Sequence, residues 1–551
     1  MAKQIIFNQK AKESLKRGID KVADAVKITL GPRGKNVILE KSYGGPTITN
    51  DGVTIAKDIS LSDKFENMGA EIMKEIASKT NDLAGDGTTT SIIIAQTLIE
   101  EGMKKIVLGV NAMGIKAGID KATEEVVKEL KLVAKPISDK EEIRQVATIS
   151  AESEEVGKII ADTVDKVGKD GVITVEESQS FGVESEVVKG MEFERGYISP
   201  YMITDTERME ANFKEAPILI TDKKISTIKE ILPFLEKLAE SGKKDLVIIA
   251  DDVDGEALTT FVLNKLRGTF NVLAVKAPEY GERKKEMLQD IAVTIGAKVV
   301  SEEVGLKLEK IGLDVLGQAN KIISTKDKTI IVGGKGKKSE IEERVNQLKK
   351  QLKLSKSKFD LEKIEERIAK LSGGVAVIKV GASTETEMRY LKLKIEDAVN
   401  ATKAAIEEGI IPGGGSALVK IAEKIGKKSF KSTLKNFEEE FQVGFNLLLK
   451  ALEAPLKQIA INAGKEDGSV IVHQVKKSKI GSGYDANKDA IVEDMIAEGI
   501  IDPVKVARSG IQNAASSAGI LLTTEVAIAD ESKKESGLSN QSGMGEDMSM
   551  M

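Results

Sequence analysis

The chain has 551 residues, 41% hydrophobic and 31% charged, with 87 acidic against 82 basic side chains and a formal charge of −5. That length suits roughly three domains, and the near-balance of charge argues against a dedicated nucleic-acid binder. There are no cysteines and one histidine, His473, which excludes disulfides, thiolate nucleophiles, Cys-ligated zinc and His-cluster metal sites. Catalysis is left to carboxylates, hydroxyls, lysines, backbone amides and an oxygen-ligated ion such as Mg²⁺.

The start, Met1-Ala2-Lys3-Gln4-Ile5-Ile6-Phe7, has neither a signal peptide's apolar centre nor an Arg/Ser-rich transit sequence, and no apolar run reaches the ~18 residues of a membrane span. The expectation is a soluble protein without a membrane partner, either cytoplasmic in a bacterium or in the stroma or matrix of an organelle that encodes it. The first ~130 residues read as helices broken by glycine-rich loops. Leu15, Ile19, Val22 and Val26 keep helical spacing up to a stop at Leu30-Gly31-Pro32-Arg33-Gly34, and further helices are predicted over Gly69 to Ser78 and after Gly87. The region 150–190 reads as turn-bounded strands such as Gly171 to Val175, and Asp51-Gly52 reads first as a hairpin turn.

From about 190 to 325 the apolar runs Pro217–Ile220, Leu246–Ala250 and Asn271–Val275 alternate with helical segments in an α/β pattern. Ser339 to Leu371 reads as a charged helical hairpin. A strand, Val375 to Val380, then leads into a long helix, Thr384 to Glu408, and further helices fill the C-terminal part, where His473 sits on a helix face. The order helical, mixed, α/β, mixed, helical predicts a nested layout with one domain built from both chain ends.

The sharpest local feature is Ala84-Gly85-Asp86-Gly87-Thr88-Thr89-Thr90-Ser91, directly before the apolar run Ile92–Ile99. Glycines allow close backbone approach, and hydroxyls beside the free amides of a helix N-terminus favour an anion. Asp86 alone would repel phosphate, yet it becomes a ligand once Mg²⁺ lies between them. An ordinary Asp/Thr N-cap is the competing reading. No Walker A loop is present. The turns at Thr29 to Gly34 and Gly413-Gly414-Gly415 read as helix stops, and Asp397 reads as a solvated helix residue.

Taken together, several segments resemble the group I chaperonins, the GroEL type, in that family's order. They are Thr29-Leu30-Gly31-Pro32, Thr49-Asn50-Asp51-Gly52-Val53, Lys64 to Ala70, Gly85-Asp86-Gly87-Thr88-Thr89-Thr90, Val375 to Ala382, Glu396-Asp397-Ala398, Gly413-Gly414-Gly415 and Asp502-Pro503. The resemblance runs from about residue 3 to 528. It implies an α+β multidomain chaperonin fold: a mainly helical equatorial domain (1–133 and 408–530), a small α/β intermediate domain (134–189 and 376–407) and an α/β apical domain (190–375), with a flexible tail (531–551).

It also implies an ATP hydrolase with Asp51 and Asp397 as catalytic residues and Asp86 as the Mg²⁺ ligand. Thr29, Leu30, Gly31, Pro32, Asn50, Gly87, Thr88, Thr89 and Thr90 would wrap the phosphates, with K⁺ beside them. Gly414, Asp485, Ala486, Ile500 and Asp502 would line the nucleoside end. Asn50 stands where relatives often have lysine, and Tyr484-Asp485-Ala486-Asn487 departs from their Tyr-Asn-Ala-Ala. Pro136, Gly190, Gly374 and Gly409 are the implied hinges. Tyr197, Tyr201, Met202, Leu232, Leu235, Leu258, Val262 and Leu263 would form an exposed apolar groove for non-native polypeptides and a GroES-type lid. The expected assembly is two stacked seven-membered rings.

Overall fold

The computed structural model describes residues 2–40, 46–169, 171–206, 208–354, 357–430 and 437–530. The tail 531–551 lies outside the described residues. The chain forms two compact units: one from residues up to Lys135 and from Ile410 onward, the other from Pro136 to Gly409. Both ends of the chain therefore build one unit, around a middle segment that builds the other.

The first unit is a helical bundle. Helices Asn8–Lys27, Lys64–Ala84, Thr88–Val107, Ala112–Val133, Glu438–Ala451 and Val504–Leu522 share one core, which includes Ile19, Met73, Ile94, Leu98, Ile119, Phe441, Leu448 and Ile511. Each fully buried aliphatic side chain of this kind contributes about 1.5–3 kcal/mol. Backbone-close packing comes from two reciprocal glycine contacts. A Cβ on Gly18 would lie 1.7 Å from the Glu66 carbonyl, and one on Gly69 would lie 2.0 Å from the Leu15 carbonyl. Gly118 and Gly444 do the same for helices Ala112–Val133 and Glu438–Ala451, at 2.0 Å from Phe441 O and 1.9 Å from Ile115 O. Near the chain's start, Lys3–Phe7 pairs antiparallel with Val526–Asp530.

Three local expectations need correction. The helix predicted from Gly69 to Ser78 runs over Lys64–Ala84, because the Asp63 carboxylate accepts from the Phe65 and Glu66 amides and starts it earlier. Asp51-Gly52 is no hairpin turn: Asp51 is the N-cap of a short helix, Gly52–Asp58. In the second unit, part of the region 150–190 read as strands is the helix Glu154–Val167, capped by Ser153; the strands Val172–Glu177 and Gly182–Val188 follow it.

The second unit carries two layers of sheet. Parallel strands Pro217–Thr221, Asp245–Ala250 and Asn271–Lys276 are fully buried at their centres, as the continuous apolar runs require, and continue through Gly317–Ser324 and Thr329–Gly334 to Gly190–Phe193. A separate three-stranded sheet places Val375–Gly381 between Val172–Glu177 and Gly182–Val188. Val375, expected at the end of the apical range, pairs with Val172 and Val188 and so belongs to this smaller sheet. The helical hairpin is present as Lys338–Leu354 and Lys358–Gly373. Arg344 and Arg367 from its two helices both donate to Asp290, a fully buried carboxylate on helix Gly281–Ile295.

Candidate nucleotide site

Helix Thr88–Val107 begins at Gly87, whose backbone is left-handed (φ 79°), and no side chain caps it among the described residues. The first turn of a helix presents amides without intrahelical partners, and the helix dipole adds positive potential there. Asp86 precedes it, half-buried, and accepts from the Gly87 amide. The competing reading of this segment as an ordinary Asp/Thr N-cap is therefore not what the structure holds.

Two further loops meet this helix start. Gly52 lies so close to it that a Cβ would sit 2.5 Å from Thr89 Oγ1 and 2.7 Å from Thr88 Oγ1. This contact brings Asp51 beside the threonines. The Asp51 carboxylate accepts from the Val53 and Thr54 amides at 3.2 and 3.0 Å and from the Thr54 hydroxyl at 2.5 Å, while its own amide donates to Thr49 Oγ1. From the other loop, Thr29 Oγ1 is 3.3 Å from Thr89 Oγ1 and donates to the Val26 carbonyl. Asn462 Nδ2 donates to the carbonyls of Lys27 and Leu30, which holds the Leu30-Gly31-Pro32 turn in place. Asn50 is half-buried between Thr49 and Asp51, and Pro32 is exposed.

The fourth segment comes from the C-terminal part. Strand Ile410–Pro412 pairs with Ile501–Pro503, so that Ile411 lies opposite Asp502, and the Gly413 amide donates to the Ile500 carbonyl. The next two amides, Gly414 and Gly415, donate to the Asp502 carboxylate at the start of helix Ser416–Gly426. The Gly413-Gly414-Gly415 turn is thus a helix start, not a stop. Burial and the nearby negative charge of Asp86 push the Asp502 carboxyl up to about 7, against the two amides that pull it down. The like charge of Asp86 therefore adds to burial in making ionisation of Asp502 costly.

Asp485 and Ala486 are placed less openly than expected. The Asp485 carboxylate accepts from the Asn487 and Lys488 amides of its own turn, and Ala486 is buried with Val419, Leu456 and Tyr484. Their side chains are committed to the fold, which leaves the backbone of Tyr484 near Gly414: a Cβ there would lie 3.9 Å from the Tyr484 carbonyl and 3.6 Å from Met495 Cε. Met495 was not singled out in the sequence, since only the fold brings it to this loop. Asp397 lies in the other unit, half-buried on helix Glu385–Glu408.

In that second unit the expected groove divides. Tyr201, Leu232 and Leu263 are exposed at 66%, 41% and 46%, and Leu266 at 68%; Leu235, Leu258 and Val262 are half-buried. Met202 and Tyr197 are instead core residues, at 0% and 8% exposure. Met202 points inward, where its Sδ lies 3.2 Å from the Ala274 amide, and Tyr197 bridges to Val275. Their apolar side chains are used to seat the segment on the sheet, not to line its surface.

A helical unit built from both chain ends, carrying an uncapped helix start ringed by Thr29, Asp51 and Asp86, and a sheet unit inserted between its halves define a chaperonin fold. The sequence matches the TCP-1/cpn60 chaperonin family over residues 22–532, and the chain belongs to that family. Among solved structures it is similar to the chaperonin gp146 from the bacteriophage EL 2 (Pseudomonas aeruginosa), determined in the presence of ATP-BeFx. The TM-score is 0.65 at 21% identity, covering 96% of this chain and 99% of that one. At that identity the likeness is one of fold, and the α+β multidomain chaperonin architecture expected from the sequence is borne out.

Proposed function

We propose that this protein is an ATP-driven chaperone that captures non-native polypeptides on the second unit and hydrolyses ATP on the first. The observation that carries the reading is the convergence of Thr29, Asp51, Asp86 and Asp502 on the uncapped start of helix Thr88–Val107. Amides and threonine hydroxyls there suit phosphate oxygens. Asp86 beside the helix start is an oxygen donor of the kind Mg²⁺ takes, one or two carboxylates plus phosphates and water, and so would hold that ion. Bound there, Mg²⁺ would neutralise charge on the phosphates. Asp51, oriented by three donors, is suited to positioning a water. Asp397 would complete the site from its helix. Phosphoryl transfer needs such positioning more than a strong base, so a site without histidine or cysteine suffices. K⁺ would add charge beside the phosphates.

Tyr201, Leu232, Leu263 and Leu266 give the second unit an exposed apolar edge, a surface that binds unfolded chains with little sequence preference. A GroES-type lid would compete for the same edge. Turning at Pro136 and Gly409, the first and last residues of the second unit, and at Gly190 and Gly374 would move it. Two stacked seven-membered rings in a bacterial cytoplasm, or in an organelle, would form the chamber.

The test is refolding of a denatured client with ATP, Mg²⁺ and a lid protein, comparing wild type with Asp51→Ala and Asp397→Ala. Wild type is expected to hydrolyse ATP and raise the yield, and both variants to lose turnover. Wild-type turnover in the variants would overturn the catalytic assignment, and no refolding by any of them would overturn the chaperone reading.

A further inference from the structure

Cross-element ion pairs at Lys392, Lys394 and Glu396 tie helix Glu385–Glu408 down within the second unit. Two attach it to its own small layer: Lys394 to Glu152 at 2.7 Å and Lys392 to Glu177 at 2.9 Å. The third comes from elsewhere. Arg208 pairs with Glu396, the residue immediately before Asp397, and the Glu396 side chain is only 19% exposed there. Arg208 belongs to a turn that leaves the apolar edge directly after Tyr201 and Met202.

The described residues of that turn are bonded to one another. The Thr204 and Asp205 amides both donate to the Glu210 carbonyl, the Glu210 amide returns a bond to Asp205, and the Arg208 amide donates to the Asp205 carboxylate. Met209 takes a left-handed backbone (φ 53°), a strained choice for a side-chain-bearing residue that the closed turn imposes. The near end of the turn is held by the apolar edge itself: Lys265, on helix Gly255–Leu266 beside Leu263 and Leu266, donates to the Ile203 carbonyl at 2.9 Å. Direct contacts therefore link the client-facing helix to Ile203, and the bonds among Thr204, Asp205, Arg208 and Glu210 link the segment after it to Glu396 and the helix of Asp397.

We propose that Arg208 is a latch: through Glu396 it couples occupancy of the apolar edge to the position of the helix that carries Asp397. Nothing in the catalytic chemistry calls for Arg208. Its pairing with Glu396 restrains the helix, and a client that displaces helix Gly255–Leu266 pulls on the turn through Lys265 and loosens the restraint. The inference rests on the reading of Asp397 and the apolar edge given above.

The test uses the full-length protein carrying Arg208→Gln, Glu396→Gln, or the exchange of both charges, Arg208→Glu with Glu396→Arg. Hydrogen exchange over residues 385–408 without nucleotide is expected to quicken about tenfold in each single variant, the size of effect of losing a half-buried ion pair, and to recover in the exchanged pair. Unchanged exchange in the single variants overturns the latch, and so does acceleration spread evenly over the second unit, which marks a merely structural contact. The second readout is ATP turnover with and without a permanently unfolded, carboxymethylated globular protein. Stimulation by this client is expected in wild type and the exchanged pair and is expected to be lost in the single variants; stimulation retained in the single variants overturns the coupling. A wild type that hydrolyses no ATP overturns the functional reading and with it the coupling to turnover, while the exchange measurement still decides the restraint on the helix.

Discussion

The Cβ that Gly52 lacks would lie 2.5 Å from the Thr89 hydroxyl and 3.0 Å from the Thr89 amide. No rotamer change relieves a clash with a backbone nitrogen, so the Gly52 helix start and the Thr88 helix start are locked at a distance only glycine permits. The variant Gly52→Ala must push the two apart. Overpacking of this kind costs about 1–3 kcal/mol, and the displacement falls directly on the amides proposed to hold phosphate. ATP affinity measured by calorimetry is expected to fall at least ~tenfold, by 1.4 kcal/mol or more.

Asp502 sets a pH dependence whose sign follows from its environment. Its carboxyl is raised to about 7 from 3.8, so the folded protein holds a proton that the unfolded chain has released between those values. The stability this gives is complete below pH 4 and is lost as pH rises through 7. Asp502→Asn removes that dependence. Thermal unfolding of the nucleotide-free protein at pH 5 and pH 8 is expected to show wild type losing ~2 kcal/mol more than the variant, a figure reduced for the partial exposure of the residue.

Asp290 is a buried carboxylate paired with both Arg344 and Arg367. Asp290→Asn leaves Arg344 facing a neutral group and Arg367 with Glu286 as its remaining carboxylate. Breaking one side of such a cluster costs about 3–5 kcal/mol. Denaturant unfolding is expected to show the helical hairpin 338–373 detaching first, read by early protease cleavage within it.

Met202 and Leu263 separate stability from client binding. Leu263 is exposed and Met202 is fully buried, although both are apolar and near one another in the expected groove. Leu263→Ser is expected to reduce capture of an unfolded client with stability held within ~0.5 kcal/mol. Met202→Ser is expected to lose about 2–4 kcal/mol through the cavity and the stranded hydroxyl. Parallel melts and client co-sedimentation distinguish the two.

Ser416 offers a gain. Its hydroxyl is fully buried and has no hydrogen-bond partner among the described residues. A buried hydroxyl without a partner costs about 1–3 kcal/mol, so Ser416→Ala is expected to be neutral or up to ~1 kcal/mol more stable. A lower melting temperature would contradict this.

Much was legible along the chain because the relevant physics is local. The 3.6-residue spacing of Leu15, Ile19, Val22 and Val26 and the unbroken apolar runs at 217, 246 and 271 state helix and buried strand directly. The motifs around Asp51, Asp86 and Asp397 carry the family, and absent cysteine with a lone histidine narrows the chemistry to carboxylates and an oxygen-bound ion. Misreadings arose where a side chain's partner is distant or where a cap competes with a turn. Asp51-Gly52 has the composition of a hairpin, and Asp63 starts a helix one turn before its apolar pattern does.

The resemblance therefore indicated where nucleotide and client sites would lie, and the tertiary structure decided which of the expected side chains are exposed and which are buried or bonded within their own loop. Whether an apolar residue faces a client or the core depends on the direction of its Cβ and on what packs above it. That is why Tyr201 is outside while its neighbour Met202 is inside. Whether a carboxylate serves a ligand or its own loop depends on the amides within reach: Asp485 finds two in its turn, whereas Asp502 finds Gly414 and Gly415 some ninety residues earlier together with the like charge of Asp86. Sequence spacing specifies elements and inventories their chemistry. Electrostatic proximity and burial exist only after remote segments meet.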